Sequence, residues 1–316
     1  MPIGEMAALG AAIIWASTSI AFTSAGRIST PTAANTFKTV AAVFLFGSVF
    51  LIRDGVPWGR GVPPADIALL ALSGLVGLSL GDSLLFRGFV TLGTRRAMLV
   101  FSLNPVIGAL GGYLFLGERL GGAGIAGMVI ALAGIALVVG EKRRAAPDGL
   151  THPPVPDCGA VPCPDRGFLH RHVTLAGVLF SVGGAAGQAV GALLAKPSLA
   201  RVDTLAATQI RATAGAAGLL LFALLGGHLA HWTRLILRGR ILARLCLASF
   251  FGPFIGLFLM VLSIKRAPTG IALTLLSTTP IWLLPLGAWF QKDRPSPREA
   301  VGAVIALAGT ALLLLR

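Results

Sequence analysis

Ile130-Ala131-Leu132-Ala133-Gly134 and Ile305-Ala306-Leu307-Ala308-Gly309 are one five-residue string met twice, 175 positions apart. The same offset carries residues 81–137 onto 256–312 without a gap. Gly81, Ser102, Pro105, Arg119 and Gly127 then fall on Gly256, Ser277, Pro280, Arg294 and Gly302. Two apolar stretches share Leu and Ala by chance. They seldom share Pro, Arg and five consecutive residues at one offset. A neighbouring offset of 173 sets Lys38 on Arg211. The chain is read as two related halves, and a repeat of this size governs the reading of everything else.

Each half is a series of apolar runs. The pattern predicts spans near 3–25, 32–52, 66–89, 95–116 and 121–140, then 173–195, 203–226, 242–264, 269–290 and 299–315. Runs near twenty residues match the thickness of a bilayer when helical. Of the 316 residues 55% are apolar and only 12% charged, with a mean hydropathy of +0.84. A soluble globule carries about twice that charge fraction. The expected fold is an all-α integral membrane protein with ten transmembrane helices. The organisation is a first repeat (1–140), a Pro-rich linker (141–172) and a second repeat (173–316). Five spans per half is an odd number, so the halves enter the membrane in opposite senses. Inverted repeats flank a central site in many secondary transporters.

The net charge of +14 does not imply nucleic acid. The cations sit at span ends, where anionic lipid headgroups attract them. The partners expected are a small-molecule solute and membrane lipid. Three Cys give no disulfide framework, and no cleavable leader precedes the first apolar run. Gly77-Leu78-Ser79-Leu80-Gly81 fits a hydrolase elbow string but lies within a span. Gly122 to Gly127 fits a dinucleotide fingerprint, but no strand precedes it. Cys158 and Cys163 lack the spacing of a zinc finger. No Walker lysine motif occurs. No cofactor, metal or catalytic residue is expected.

Ser-x-x-Pro entering the fourth span and Gly117-Glu118-Arg119-Leu120 leaving it resemble the EamA-like branch of the drug/metabolite transporter superfamily. The fifth span's Gly127 to Gly134 run, its counterpart at Gly302, and Gly81-Asp82 followed by Phe86 are similar as well. The resemblance covers the chain outside the linker. The second half departs from it, with Lys292-Asp293-Arg294 where Gly-Glu-Arg is expected. It implies ATP-independent transport of metabolites across the cell membrane, amino acids and sugar phosphates among them, with export the expected direction.

Lys38 and Arg211 are the sharpest candidates for the path. A cation within a span costs about 2.5–3.5 kcal/mol on insertion scales. Such a residue faces a cavity, or its stem reaches back to the interface. Two cations against one acid predict an electropositive cavity and a solute bearing a carboxylate or phosphate. Asp82, the carboxylate well inside a span, pairs with a cation, carries a proton, or bonds at a helix end. Trp15, Ser19, Asn104, Gln188, Gln209, Ser277 and Trp282 are the polar and aromatic candidates for recognition. Asn35 and Thr279 belong to the same polar set. Pro105 and Pro280 each remove a backbone donor, at matching positions, and are hinge candidates. Small residues at every fourth position (Ala123, Gly127, Ala131; Gly302, Ala306) mark the fifth and tenth spans as packing or homodimer surfaces.

Orientation is read in two ways. The face holding both termini carries fewer Lys and Arg than the face holding the linker, which places the linker in the cytoplasm. The resemblance implies the reverse.

Overall fold

The computed structural model describes residues 3–28, 30–57, 59, 61–91, 97, 100–101, 103–118, 121–139, 169–236, 239–279, 281–282 and 297–314. Among these every regular element is helical. In chain order they are α1 (Ile3–Ile28), α2 (Pro31–Asp54), α3 (Pro64–Gly74), α4 (Asp82–Thr91), α5 (Asn104–Leu116), α6 (Gly122–Val139) and α7 (Leu169–Leu199). Then come α8 (Thr204–Leu225), α9 (Leu229–Ile236), α10 (Gly239–Ser249), α11 (Leu257–Arg266), α12 (Thr269–Leu276) and α13 (Pro297–Leu314). Five described helical stretches are long and apolar enough to cross a membrane: Pro31–Asp54, Pro64–Thr91, Leu175–Leu199, Thr204–Leu225 and Leu245–Arg266. The sixth run begins as a helix at Leu169, earlier than the expected 173.

The third and eighth runs share a feature that hydropathy does not display. Between α3 and α4, Leu75–Gly81 is a π-helix, and between α10 and α11 so is Phe250–Gly256. These two stretches stand at the repeat offset. In each, the amide that closes the stretch reaches five residues back, Asp82 to Gly77 and Leu257 to Gly252. Part of the cause lies in Pro253, which has no amide to donate to an α-helical ladder. The rest lies in packing. A Cβ added at Gly187 of α7 would sit 2.7 Å from the Cα of Gly81, so the two backbones touch. Such π turns cluster at functional sites. Asn35 steadies the first of them, donating to the Leu78 carbonyl and to Ser83 Oγ, each at 3.1 Å.

The fifth and tenth runs pack on each other within the chain. A Cβ at Gly134 would lie 2.6 Å from the Gly302 carbonyl oxygen, and one at Gly309 would lie 2.7 Å from that of Gly127. Contacts therefore descend along α13 as they ascend along α6, so the pair is antiparallel. The contacts are also reciprocal, because Gly134 and Gly309, like Gly127 and Gly302, are repeat equivalents. Reciprocity of that kind is the mark of a two-fold relation. It gives these small residues a packing partner within the chain. The face of Gly127, Ala131, Gly302 and Ala306 is occupied by the partner run of the same chain, while Ala123, Ile125, Val129, Ile130, Val301, Val304 and Leu307 remain exposed.

Candidate functional site

A cavity of about 140 Å³ lies among α1, α2, α4, α7, α11, α12 and the start of α5, with both π stretches in its wall. By the volume one water requires, it holds on the order of ten waters. That suits a small metabolite. It occupies the half of the bundle that carries the α1–α2 connection and the end of α4, as its lining from Trp15 to Phe22 and from Leu78 to Phe89 shows.

Most of the wall is apolar. Phe22 and Phe86 meet at a centroid distance of 6.2 Å, Phe86 and Phe89 at 5.8 Å, and Phe101, Leu257 and Met260 continue the surface. Into this surface the sequence places one ion pair. Lys38 donates to Asp82, and Gln188 donates to the other oxygen of the same carboxylate. The Lys38 ammonium also lies 4.9 Å from the Phe86 ring centroid, where the ring's negative face attracts it. Asp82 is the residue that follows the first π stretch. The π turn sets which side of the helix its carboxylate leaves, so the acid and its lysine meet across two helices.

Seven of the candidate residues line the cavity: Trp15, Ser19, Lys38, Asp82, Asn104, Gln188 and Ser277. Trp15 and Gln188 are repeat equivalents at the 173 offset, and each packs against a π stretch of the other half. Asn104 keeps a buried side-chain oxygen without a partner at the wall. Thr279 lines it as well.

Three further candidates lie outside this lining. Arg211 does not line the cavity. It is fully buried behind it, with its backbone against Gly74, so among the described residues the charged lining of the cavity is the Lys38–Asp82 pair. Gln209 is turned away as well, bonding the Gly59 amide at 3.2 Å and the Pro57 carbonyl at 2.5 Å, and so pins the loop after α2. Trp282 donates to Thr278 Oγ1 at 3.3 Å, on its own turn, and is not in the wall. Pro105 is buried at the start of α5 beside the wall. Pro280 lies outside the described residues, as do Cys158, Cys163 and nearly all of the linker.

Sequence reasoning missed the closed end of the bundle. Gly117, at φ 65°, lets the chain turn back after α5. Glu118 then accepts from the Thr269 amide at 2.7 Å and its hydroxyl at 3.1 Å, so a residue of one half caps α12 of the other. Lys196 stands 3.3 Å from Glu118 and donates to the Ile264 and Ala267 carbonyls. Arg201 grips Asp66 at 2.6 Å on the same face. A signal existed in Glu118 itself, but no sequence feature named its partners. The cavity thus lies toward one face and the bonded seam closes the other.

Over residues 2–140, and again over 175–315, the chain matches the EamA-like transporter family. A stretch of 92 residues is 37% identical to a probable terminal-alkyne amino-acid exporter of Streptantibioticus cattleyicolor, covering 29% of this chain and 31% of that protein. Another of 71 residues is 32% identical to the putative permease-like protein YdzE of Bacillus subtilis, covering 22% and 91%. The match to the exporter thus spans about a third of its length. A solved crystal structure shares the fold, with a TM-score of 0.69 at 20% identity over 99% of this chain and 96% of that one.

Proposed function

The chain belongs to the EamA-like transporter family, and from that premise we propose that this membrane transporter exports a small amino acid with an apolar side chain. The observation that carries the reading is the Lys38–Asp82 pair in an apolar wall. A zwitterion presents a carboxylate to Lys38 and an ammonium to Asp82, and so replaces each charge of the resident pair by another of the same sign. Its side chain meets Phe22, Phe86 and Phe89. A free phosphate lacks the cation that Asp82 would accept, and its charge has no unpaired partner in this cavity. The exporter relative, named for a terminal-alkyne amino acid, is in keeping with a solute of that kind.

The mechanism is alternating access between two inverted five-span halves, residues 1–140 and 173–316, joined by the linker. The antiparallel, reciprocal packing of α6 on α13 supports the inversion. So do the two π stretches at one offset. Trp15, Ser19, Asn104, Gln188 and Ser277 complete the solute site, and Pro105 and Pro280 serve as hinges. The family and its named relatives point to transport rather than catalysis.

The test is efflux of L-propargylglycine, a terminal-alkyne amino acid, from preloaded proteoliposomes, with L-leucine and inorganic phosphate as comparisons. Saturable efflux of the amino acids and none of phosphate is expected. Linear, non-saturating flux marks a channel, and phosphate efflux without amino-acid efflux overturns the reading.

A further inference from the structure

Arg211 is the one large charged side chain among the fully buried residues described, and Nε, Nη1 and Nη2 all lack a hydrogen-bond partner. Removing a guanidinium from water with no hydrogen bond in return is costly. The Asp82 carboxylate that attracts it from a distance is already held by Lys38 and Gln188, and exchanging buried charged groups for apolar ones is often neutral or stabilising. A group held at that disadvantage in one state is accounted for if it has a partner in another.

Repeat symmetry says which state. Lys38, its equivalent at the 173 offset, lines the cavity and is held by Asp82. The position equivalent to Asp82 in the second half is Leu257, which also lines the cavity. When two inverted halves exchange conformations, the opposite-facing cavity is lined by the second half's version of the present wall. Arg211 then comes forward as Lys38 does now, with a leucine where the first half has an acid. Between it and the cavity stand a glycine and an amide. One guanidinium nitrogen lies 3.6 Å from where a Gly77 Cβ would sit, and the unbonded Gln188 Oε1 lies 3.8 Å from the same point.

We propose that Arg211 is a second, concealed carboxylate site, buried in this state and presented to the solute in the opposite-facing one. This inference rests on the alternating-access reading above. The two faces then differ in chemistry. The present cavity offers a neutral pair to a zwitterion, and the other offers an unpaired cation to its carboxylate.

Two measurements test it. In a background with Cys158, Cys163 and Cys246 replaced by Ser, Lys38→Cys and Arg211→Cys are labelled by a membrane-impermeant thiol reagent in sealed vesicles of either orientation. Lys38→Cys is expected to react from one face and Arg211→Cys at least tenfold faster from the other. Reaction of both from the same face, or no reaction of Arg211→Cys from either, overturns the proposal, whatever the solute proves to be. If L-propargylglycine fails to slow the labelling while its opposite-face pattern holds, the amino-acid reading falls and the concealed site stands. Second, Arg211→Met is expected to raise Tm by several degrees and to reduce efflux at least tenfold. A lowered Tm, or a variant that does not fold, marks the guanidinium as structural and overturns the proposal.

Discussion

Asp82 shows how one carboxylate sets the character of a site. It follows a π stretch, is 5% exposed, and is held by an ammonium and an amide. Each partner alone is a liability in an apolar wall, because an unpaired charge there keeps its desolvation cost and loses the attraction. Asp82→Asn or Lys38→Gln alone is therefore expected to lower stability by about 3–5 kcal/mol. The joint change Lys38→Met with Asp82→Leu is expected to recover most of that loss while efflux stays abolished. Thermal denaturation of the purified variants in detergent checks this. Equal losses in single and joint variants would show that the pair does not act as a unit. Sequence reasoning found Lys38, Asp82 and Gln188 separately, because each is polar in an apolar run. That Lys38 and Gln188 share the Asp82 carboxylate was not legible, since they lie 44 and 106 residues from it in sequence.

At the scale of elements, the α6–α13 crossing is made by absent side chains. Without a hydrophobic force between helices in lipid, close backbone approach and van der Waals contact supply the association. Gly134→Leu and Gly309→Leu are each expected to destabilise by about 1–3 kcal/mol, the usual effect of overpacking. The two losses should be similar, because the sites are reciprocal. Gly121→Ala, where an added Cβ meets nothing within 4 Å, is the control and should change stability by less than about 0.5 kcal/mol. A loss confined to one of the two glycines would contradict the two-fold relation. Spacing alone exposed the small-residue stripe but not the surface it meets. The repeat was visible, and the crossing that joins its halves was not.

For the whole molecule, the seam of Glu118, Lys196 and Thr269 holds one face closed while the cavity lies toward the other. Glu118→Ala removes the cap of α12 and strands Lys196. A cap alone is worth about 1 kcal/mol. The expected result is a lowered Tm together with faster thiol labelling of Ser277→Cys from the seam side. Unchanged labelling would make the seam a packing feature without a gating part. The charge count places the 141–172 linker in the cytoplasm, so Cys158 and Cys163 are expected to react with an impermeant reagent only after lysis. Labelling in intact cells after mild reduction would place the linker outside.

The amino-acid sequence by itself determined the class of this protein. Apolar runs of bilayer length, cations at their ends and a duplicated Pro, Arg and Gly pattern follow from the solvent, and the solvent acts on every residue locally. The duplication likewise needed no coordinates, and neither did the list of polar residues that lipid makes conspicuous. Only the tertiary structure decided which of them meet. It put Lys38 on Asp82, drew Gln209 to the loop after α2 and withdrew Arg211 behind the wall. It also revealed the π turns that aim those side chains. A one-residue widening of a helix rotates everything beyond it by about 100°, the angle each residue occupies in a 3.6-residue turn. Hydropathy hardly registers that change, whereas the composition of the cavity depends on it entirely.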